Sequence, residues 1–489
     1  MIKKIIHILI FAFFLPINIY SQQKDFEVII LHCNDIHASF DRYPQFVQAV
    51  NDFRAKNENV LLISDGDIFT GNPFVDKYSD PGFPIIDLMN YIKFDLSCIG
   101  NHEFDYGQET LNKRINQANF PFISSNIKNV SGNLIPVKPF YNFRFIDSID
   151  ICFLGSIETE NGGIPSTHPS KIKGLEFENA LENTADFTYL DNISECFIAL
   201  NHLGIETDTI FARLYNQFDI IIGGHSHSVI DTTLIVNKTL ITQTGSKLKN
   251  LGVIKLTFNN YKLTKIDNYL IDLEKYEISK KDTILEQKIK SFLSDSQLNS
   301  IVGYTETKIF GNDELGSFFT DAVRNYTKSD VAIQNNGGLR VDSISKGEIK
   351  QFQIYSLDPF GNFVNVVEMT ANQLKTLITY SFKKSNDLDL QISGLTYEII
   401  ENSVSNTVEV KLFNNKNKEI TNNKKFNVAM NTYIFDSYFN DSQYESSSEK
   451  YEKIIKKYEV SSAEMILEYL SIKKSVNYSG TKRTSLTKK

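Results

Sequence analysis

Cysteine is scarce in this chain, with four residues in 489. Each cysteine lies inside or beside an apolar segment with the character of a strand; they are Cys33, Cys98, Cys152 and Cys196. A secreted setting would permit disulfides, but the spacing shows no disulfide framework, and a cysteine in a strand core is usually an inert thiol. Because no pair has C-x-x-C spacing, we expect free thiols and no thiolate metal site.

The chain also lacks an excess of positive charge, since 51 Lys and Arg stand against 59 Asp and Glu, for a net charge of −8. This charge balance argues against a protein dedicated to binding nucleic acid or anionic membranes. A small anionic substrate stays compatible, because metal ions and one arginine can make a site locally positive. With 41% hydrophobic and 22% charged residues, the composition is globular, and the length predicts two large domains.

Only the N-terminus carries a long apolar run. Lys3 and Lys4 precede an apolar segment at 5–19, and Tyr20-Ser21-Gln22 follows it. This pattern predicts a secretory signal peptide over residues 1–22 and a periplasmic or secreted protein. The alternative is an uncleaved membrane anchor, but the run is shorter than the ~20 residues that span a bilayer. We therefore expect no stable membrane anchor; the oligomeric state is left open.

Histidine is absent after residue 227, which places the predicted chemistry in the first half of the chain. Residues 23–272 alternate short, unbroken apolar runs with longer mixed segments, as in sheets covered by helices on both sides. The predicted strands are Val28–Leu31, Val60–Ile63, Leu96–Ile99, Ile151–Leu154, Phe197–Leu200 and Ile220–Ile222. Residues 239–272 alternate more and predict edge β-structure that closes this domain.

The second half predicts a linker and a second domain. Residues 273–300 are charged and helix-prone, which indicates an interdomain helix. Residues 301–489 predict an α+β domain. Its predicted strands and helix are Val331–Ile333, Phe363–Met369, Val408–Leu412 and Ala371–Phe382. The polar segment 440–460 predicts a mobile loop, and the basic tail 481–489 predicts a frayed terminus.

Five predicted strand ends carry side chains of the metal-ligand type. They are Asn34-Asp35-Ile36-His37, Asp65-Gly66-Asp67, Gly100-Asn101-His102-Glu103, Asn201-His202 and Gly223-Gly224-His225-Ser226-His227. Most of these segments, taken singly, are equally explained by a helix cap, an Asx turn or a surface histidine. Two histidines at alternate positions after a glycine pair are a stronger metal signature. We expect the five ends to converge at one sheet edge.

Together the five segments supply seven ligands: Asp35, His37, Asp67, Asn101, His202, His225 and His227. If Asp67 bridges, each of two divalent ions (Zn, Mn or similar) has four ligands, with room for a bridging water or hydroxide. This is the two-metal pattern, at ~3.5–4 Å separation, that activates water and stabilises an in-line displacement. His102 can stay off the metals, and Asp105 can hold its imidazole in one tautomer.

The remaining polar residues near these motifs have supporting roles in this interpretation. Asp41, Asp65 and Glu103 are expected to orient the ligands. His32 and His168 lack a strand-end context and are interpreted as structural or exposed.

These motifs resemble those of the exported 5′-nucleotidase / UDP-sugar hydrolase / 2′,3′-cyclic phosphodiesterase group of calcineurin-like metallophosphoesterases, over nearly the whole mature chain. The resemblance implies an α/β protein in which an N-terminal four-layer αββα catalytic domain (23–272) is joined by a helix (273–300) to a C-terminal α+β substrate-binding domain (301–489). It implies one metal on Asp35, His37 and His227, a second on Asn101, His202 and His225, and Asp67 shared. It also implies that His102, paired with Asp105, stabilises the transition state or protonates the leaving oxygen.

In the second domain the resemblance covers Asn335-Asn336-Gly337-Gly338-Leu339-Arg340, Asp358-Pro359-Phe360-Gly361-Asn362 and Asn431-Thr432-Tyr433. It implies that the substrate contacts Asn335, Gly338, Arg340, Phe360 and Tyr433. The Arg340 fork suits a phosphate or carboxylate, and Phe360 can offer a π face to a base. A solvated arginine and a core phenylalanine are the alternatives. The chain lacks the family's arginine before Leu315-Gly316 and its Gly-Gly-Asp-Gly after the second aromatic.

The sequence therefore predicts an exported two-metal phosphoesterase that hydrolyses nucleoside 5′-monophosphates or related nucleotide esters to nucleoside and phosphate. The expected partner is a small nucleotide and not a nucleic acid. Alternatives in the same fold are a 2′,3′-cyclic nucleotide phosphodiesterase, a UDP-sugar hydrolase and a thiosulfohydrolase. A secreted binding protein with structural metals is the alternative of another class, but structural sites usually lack the open water position expected here.

Overall fold

Two six-stranded sheets form the centre of the first half of the protein in this computed structural model. The structure describes residues 25–146, 149–159, 162–295, 297–402, 407–439, 444 and 451–488. The predicted signal peptide at 1–22 lies outside these residues. Among the described residues, no helix combines the length and the apolar character that a bilayer span requires.

The strands of this half alternate with helices along the chain. The strands are β1 (Phe26–Cys33), β2 (Val60–Asp65), β3 (Leu96–Cys98), β4 (Phe122–Ile123), β5 (Ile127–Asn129), β6 (Phe140–Phe145), β7 (Ile149–Ile157), β8 (Leu175–Phe177), β9 (Cys196–His202), β10 (Ile220–Gly223), β11 (Leu234–Val236), β12 (Thr239–Thr242), β13 (Asn250–Asn259) and β14 (Lys262–Asp272). The helices are α1 (Tyr43–Lys56), α2 (Pro73–Asp76), α3 (Phe83–Ile92), α4 (Gln108–Gln117), α5 (Ala180–Asn183), α6 (Ile205–Leu214) and α7 (Thr283–Phe292).

The first sheet has the order β14-β13-β1-β2-β3-β4, and the second has the order β11-β12-β10-β9-β7-β6. Strands β1 to β4 are parallel, as are β12, β10, β9 and β7. Strands β13 and β14 form an antiparallel hairpin at the edge of the first sheet. This hairpin corresponds to part of the edge β-structure that the sequence predicted over residues 239–272. Parallel strands place all their carboxyl ends at the same edge of a sheet, which concentrates the loops that follow them.

Alternate residues of each strand face different cores. In β1, Val28 and Ile30 pack between the two sheets, while Ile29 and Leu31 pack under the helices. In β9, Ile198 faces the space between the sheets, whereas Phe197 faces the helices that cover the second sheet. The result is a four-layer αββα arrangement, which confirms the predicted fold class and explains why these strands are apolar on both faces.

The second half is built on a five-stranded sheet of order β21-β17-β24-β20-β25. The elements in chain order are β15 (Ile301–Thr305), β16 (Ile309–Phe310), α8 (Gly311–Thr327), β17 (Val331–Asn335), β18 (Ser343–Ile344), β19 (Gly347–Lys350), α9 (Gln351–Leu357), β20 (Phe363–Thr370), α10 (Ala371–Ser385), β21 (Leu390–Ser393), β22 (Thr396–Asn402), β23 (Thr407–Phe413), β24 (Lys425–Asn431), β25 (Lys453–Ser461), α11 (Ser462–Lys473), β26 (Ser475–Val476) and β27 (Thr484–Lys488). Capping boxes begin α10, at Thr370 and Gln373, and α11, at Ser461 and Glu464.

Three sequence expectations need correction here. The linker helix is only the ten residues of α7, and it packs on the first domain, where Leu285 and Phe292 join the core. The sequence predicted a loop over residues 440–460, but β25 begins at Lys453. Residues 440–443 and 445–450 lie outside the described part of the chain. The tail is not frayed, because β27 pairs in parallel with β22. The domain limits themselves stay predictions.

The prediction of free thiols is confirmed, since all four cysteines are free and buried. Burial raises the pKa of each thiol. These side chains are therefore inert core residues.

The C-terminal tail supplies a stability test. Arg483 donates to both carboxylate oxygens of Asp321 at 2.9 and 2.8 Å, and both side chains are about one-fifth exposed. We expect Arg483→Met to cost about 1–3 kcal/mol of unfolding free energy, because a mostly buried carboxylate loses its cation. Urea unfolding followed by tyrosine fluorescence measures the loss.

Lys482 is the matched control, because it is 61% exposed and lies 3.5 Å from Asp313. Lys482→Met is expected to change the free energy by about 0.5 kcal/mol or less. Equal effects of the two substitutions would contradict the anchoring of the tail through Asp321.

Candidate metal centre and substrate pocket

The five predicted ligand segments meet at the carboxyl ends of strands from both sheets. Strands β1, β2 and β3 of the first sheet and β9 and β10 of the second carry them. The expectation of a single sheet edge was therefore wrong, because the edges of two stacked sheets form the site together. Asn201 and His202 still belong to β9.

The first group of side chains contains Asp35, His37 and His227, whose ligand atoms all lie within 4.8 Å of one another. The Nε2 atoms of His37 and His227 are 3.0 Å apart. Asp35 Oδ1 lies 3.4 Å from His227 Nε2 and 3.9 Å from His37 Nε2. These three residues come from the segments that follow β1 and β10.

The second group contains Asp67, His202 and His225, again with ligand atoms within 4.8 Å of one another. His202 Nε2 lies 3.1 Å from Asp67 Oδ2, and Asn101 Oδ1 lies 3.0 Å from His225 Nδ1. A third combination, His37, Asp67 and His102, meets the same distance limit. Asp67 thus lies between the two groups, as a bridging ligand must.

Five of the seven predicted ligands have a left-handed backbone, which is uncommon for residues other than glycine. They are Asp35, His37, Asp67, His225 and His227, with φ between 47° and 71°. Strained positions of this kind persist only where the surrounding structure holds them, and they concentrate at functional sites.

Two glycines permit the close approach of β2 and β3 beneath Asp67. A Cβ on Gly100 would lie 2.4 Å from Asp67 Oδ1, and a Cβ on Gly66 would lie 2.7 Å from the Gly100 nitrogen. Gly66 also has φ of +71°. Side chains at these positions would push the two strand ends apart and displace Asp67.

Neighbouring carbonyl groups fix the orientation of two of the predicted ligands. His37 Nδ1 donates to the Thr70 carbonyl at 3.0 Å, and His202 Nδ1 donates to the Asp65 carbonyl at 2.8 Å. In both imidazoles Nε2 is therefore the nitrogen that faces the site. The contact of Asp65 with His202 is made through its backbone carbonyl.

Glu103 holds the backbone of two of the predicted ligand segments together. Its carboxylate accepts the backbone N–H groups of Gly100 at 2.6 Å, Asp67 at 2.9 Å and Ile68 at 2.6 Å. Burial and the charge of Asp67 raise the pKa of Glu103 to about 7. Asp41, by contrast, is exposed at the end of its loop, so its expected role as a residue that orients the ligands stays a prediction.

His102 lies beside the ligands and pairs with Asp105. Its Nδ1 donates to Asp105 Oδ2 at 2.7 Å, and its Nε2 lies 3.9 Å from Asp67 Oδ2. Burial works to lower the pKa of His102, but the charges of Asp67 and Asp105 outweigh burial and raise that pKa. With Nδ1 engaged by Asp105, Nε2 is the ring nitrogen that faces the two groups.

The residues present fit divalent cations. Imidazole nitrogens, carboxylates and an amide oxygen form the donor set, which suits zinc, manganese or iron. Asp35 Oδ1 is fully buried and accepts no hydrogen bond from the described residues. Burial works to raise the pKa of Asp67, but His202 and His102 outweigh burial and hold that pKa well below its usual range.

A cavity of about 560 Å³ opens from these ligands toward the second domain. It is lined on that side by all five predicted substrate residues: Asn335, Gly338, Arg340, Phe360 and Tyr433. An Arg340 guanidinium nitrogen lies 3.4 Å from His37 Nε2, and its carbon lies 5.6 Å from the centre of the Phe360 ring. The Phe360 ring also stacks on His102, with centroids 5.7 Å apart and planes 17° from parallel.

Sequence reasoning missed the loop after β7. Ser166, Thr167 and His168 line the same cavity, and so does Asp436 from the second domain. His168, which the sequence analysis interpreted as structural or exposed, is partly exposed, and its Nε2 lies 3.4 Å from Asp436 Oδ2 of the second domain. The sequence carried no signal for these contacts, because they depend on how a loop folds and where the second domain docks.

Comparison with known proteins matches both halves of the chain to family models. Residues 28–229 match calcineurin-like phosphoesterase, and residues 296–440 match the 5′-nucleotidase C-terminal domain. The chain is 26% identical over 470 residues to the trifunctional nucleotide phosphoesterase YfkN of Bacillus subtilis (strain 168). The alignment covers 83% of this chain but 32% of that protein. The chain thus spans about a third of the length of that relative.

Two further relatives are similar over most of their length. The 5′-nucleotidase of Vibrio cholerae serotype O1 is 26% identical over 465 residues, or 80% of this chain and 83% of that protein. The crystal structure of the 5′-nucleotidase precursor from Thermus thermophilus superposes with a TM-score of 0.79 at 20% identity, over 94% of this chain and 99% of that chain. At this identity the superposition shows a shared fold.

The metal centre can be tested by histidine replacement. We expect His202→Gln to lower the bound metal by about one equivalent per chain, because a buried imidazole that faces Asp67 is lost. Inductively coupled plasma mass spectrometry after loading with Mn²⁺ or Zn²⁺ and desalting gives the stoichiometry. His168→Gln is the matched control and should keep the wild-type metal content; equal losses in the two variants would contradict the assignment.

Proposed function

Since the chain belongs to the calcineurin-like phosphoesterases that carry a 5′-nucleotidase C-terminal domain, a family of metal-dependent phosphoester hydrolases, we propose that it hydrolyses nucleoside 5′-monophosphates or related nucleotide esters to nucleoside and phosphate. The observation that carries the proposal is the cavity that joins the Asp67 ligand groups to Arg340, Phe360 and Tyr433. The names of the relatives, 5′-nucleotidase and nucleotide phosphoesterase, support the same substrate class. The N-terminal pattern at 1–22 supports export to the periplasm or the medium.

Two divalent cations are part of this proposal. Asp35, His37 and His227 would hold one, and Asn101, His202 and His225 would hold the other, with Asp67 shared. When bound, the cations lower the pKa of water and neutralise charge on the phosphoryl oxygens.

His102 is the group that can move a proton at the ester oxygen. Its Nδ1 is occupied by Asp105, which leaves Nε2 to face the cavity. Asp105 stabilises the protonated imidazole and fixes its orientation. His102 therefore either donates a proton to the leaving nucleoside oxygen or donates a hydrogen bond to a phosphoryl oxygen in the transition state.

The second domain supplies charge and aromatic surface. Arg340 can donate two parallel hydrogen bonds to a phosphate, and it already lies next to the first group of ligands. Phe360 and Tyr433 line the part of the cavity that the second domain forms, where a base can stack on a ring. One face of Phe360 is turned to His102, so a stacked base would use its other face.

A substrate panel tests the function directly. The metal-loaded mature protein is assayed with nucleoside 5′-monophosphates, 2′,3′-cyclic nucleotides, a UDP-sugar and p-nitrophenyl phosphate. The proposal expects the highest kcat/KM on a 5′-monophosphate. A clear preference for the cyclic diester or the UDP-sugar would replace the monoesterase assignment, and failure to hydrolyse any ester would reject the proposal.

The role of His102 yields a kinetic prediction. His102→Ala is expected to lower kcat by about 10²–10⁴-fold while two metals stay bound, because a positioned proton donor is lost but no ligand is. Steady-state kinetics and metal analysis on the same preparation check both parts. Turnover at the wild-type level would contradict the proposed role.

Stacking of a base yields a second kinetic prediction. Phe360→Ala is expected to raise the KM for a nucleoside monophosphate about 10-fold or more and the KM for p-nitrophenyl phosphate much less, because only the nucleotide loses an aromatic partner. Phe310 is the matched control, since it is 60% exposed in the same domain and outside the cavity lining. An equal rise for both substrates would argue against base stacking.

A further inference from the structure

Three consecutive residues of the loop between β7 and β8 contact three different parts of the catalytic centre. The Ser166 carbonyl accepts a hydrogen bond from Asn101 Nδ2 at 3.1 Å. Thr167 Oγ1 donates to Asp105 Oδ1 at 3.1 Å. His168 lies against Asp436 of the second domain. One short segment thus links a predicted metal ligand, the His102–Asp105 pair and the domain that binds substrate.

The hydrogen bond from Thr167 to Asp105 restrains the orientation of the Asp105 carboxylate. Asp105 Oδ2 accepts from His102 Nδ1, and Thr167 holds the other oxygen. The last torsion of an aspartate side chain is broad, so two fixed hydrogen bonds are needed to hold the carboxylate plane. Thr167 is 5% exposed, and its branched side chain restricts its own torsion, so its hydroxyl is a rigid donor.

The loop is held on both sides of Thr167. The Ser166 N–H donates to the Glu158 carboxylate, and the Thr167 N–H donates to the Pro165 carbonyl at 2.7 Å. His168 Nδ1 accepts from the Ser170 N–H at 3.3 Å, and its Nε2 lies 3.4 Å from Asp436 Oδ2. The segment that carries Thr167 therefore contacts both domains.

We propose that Thr167 is a positioning residue of the reaction: its hydroxyl orients Asp105, and Asp105 in turn holds the imidazole of His102 toward the substrate. Thr167 acts through these two residues and does not itself touch the reacting atoms. This inference rests on the proposed phosphoester hydrolysis and on the role of His102 in it, but not on a nucleotide being the substrate.

The test compares Thr167→Val, which keeps the shape and removes the hydroxyl, with Thr167→Ser, which keeps the hydroxyl. The full metal-loaded protein is assayed with phenyl phosphate and p-nitrophenyl phosphate, so that the outcome does not depend on nucleotide preference. We expect Thr167→Val to lower kcat on phenyl phosphate about 5–30-fold with KM and metal content unchanged. Thr167→Ser should stay within about threefold of the wild type.

The decisive measurement repeats Thr167→Val in the His102→Ala background. If Thr167 acts through His102, the second substitution should change kcat less than about twofold there, because the group that it positions is gone. An equal loss in both backgrounds would show that Thr167 only stabilises the loop and would overturn the proposal. A Thr167→Ser variant as impaired as Thr167→Val would overturn it as well.

Thr184→Val is the matched control for loss of a buried hydroxyl. Thr184 is fully buried in the same domain and donates to the Ala180 carbonyl at 2.8 Å, away from the cavity. The kcat of the Thr184→Val variant should equal that of the wild type. If the wild type hydrolyses aryl phosphates but not nucleotides, the nucleotide assignment fails. The comparison of Thr167→Val in the wild-type and His102→Ala backgrounds still tests the positioning role.

Discussion

The position of the Asp67 carboxylate is the constraint on which the rest of the site depends. Its Oδ1 accepts the backbone N–H of His102 at 2.9 Å, and its Oδ2 faces His202 at 3.1 Å. One carboxylate therefore connects the end of β2 to the segment after β3 and to β9 in the other sheet. Glu103 and the two glycines beneath it keep Asp67 between the two groups of ligands.

Such a site needs a rigid foundation, because most of its ligands have a backbone conformation that costs energy. Residues in the left-handed region cost roughly 1 kcal/mol or more each when they are not glycine. The apolar core between the two sheets, formed by residues such as Ile30, Ile63 and Leu200, supports the strand ends from which these residues project. The predicted ligands thus project from the ends of strands that are held in this buried core.

Much of this could be predicted from the sequence, for identifiable reasons. Strands such as Val60–Ile63 are recognisable because burial on both faces requires unbroken apolar runs. The candidate ligands are recognisable because Asp, Asn and His directly follow those runs. The sequence could not show that β9 and β10 belong to a second sheet, because an apolar run carries no information about its partner strand. Nor could it show that Asp65 contacts His202 through its backbone carbonyl.

The contacts of Thr167, His168 and Asp436 were out of reach for a related reason. They join residues separated by up to 268 positions, since His168 meets Asp436, and they form only when a loop and two domains are in place. The basic tail was misjudged because composition alone does not reveal a pairing partner; β22 and Asp321 provide one. Tertiary context decided each of these cases against the local pattern.

The central claim is that side chains from five strand ends hold two cations around Asp67. The most direct measurement is anomalous X-ray scattering from crystals grown with Mn²⁺. The account predicts two anomalous peaks about 3.5–4 Å apart, with Asp67 bound to both, one near His37 and His227 and the other near His202 and His225. A single peak, or peaks remote from Asp67, would contradict it.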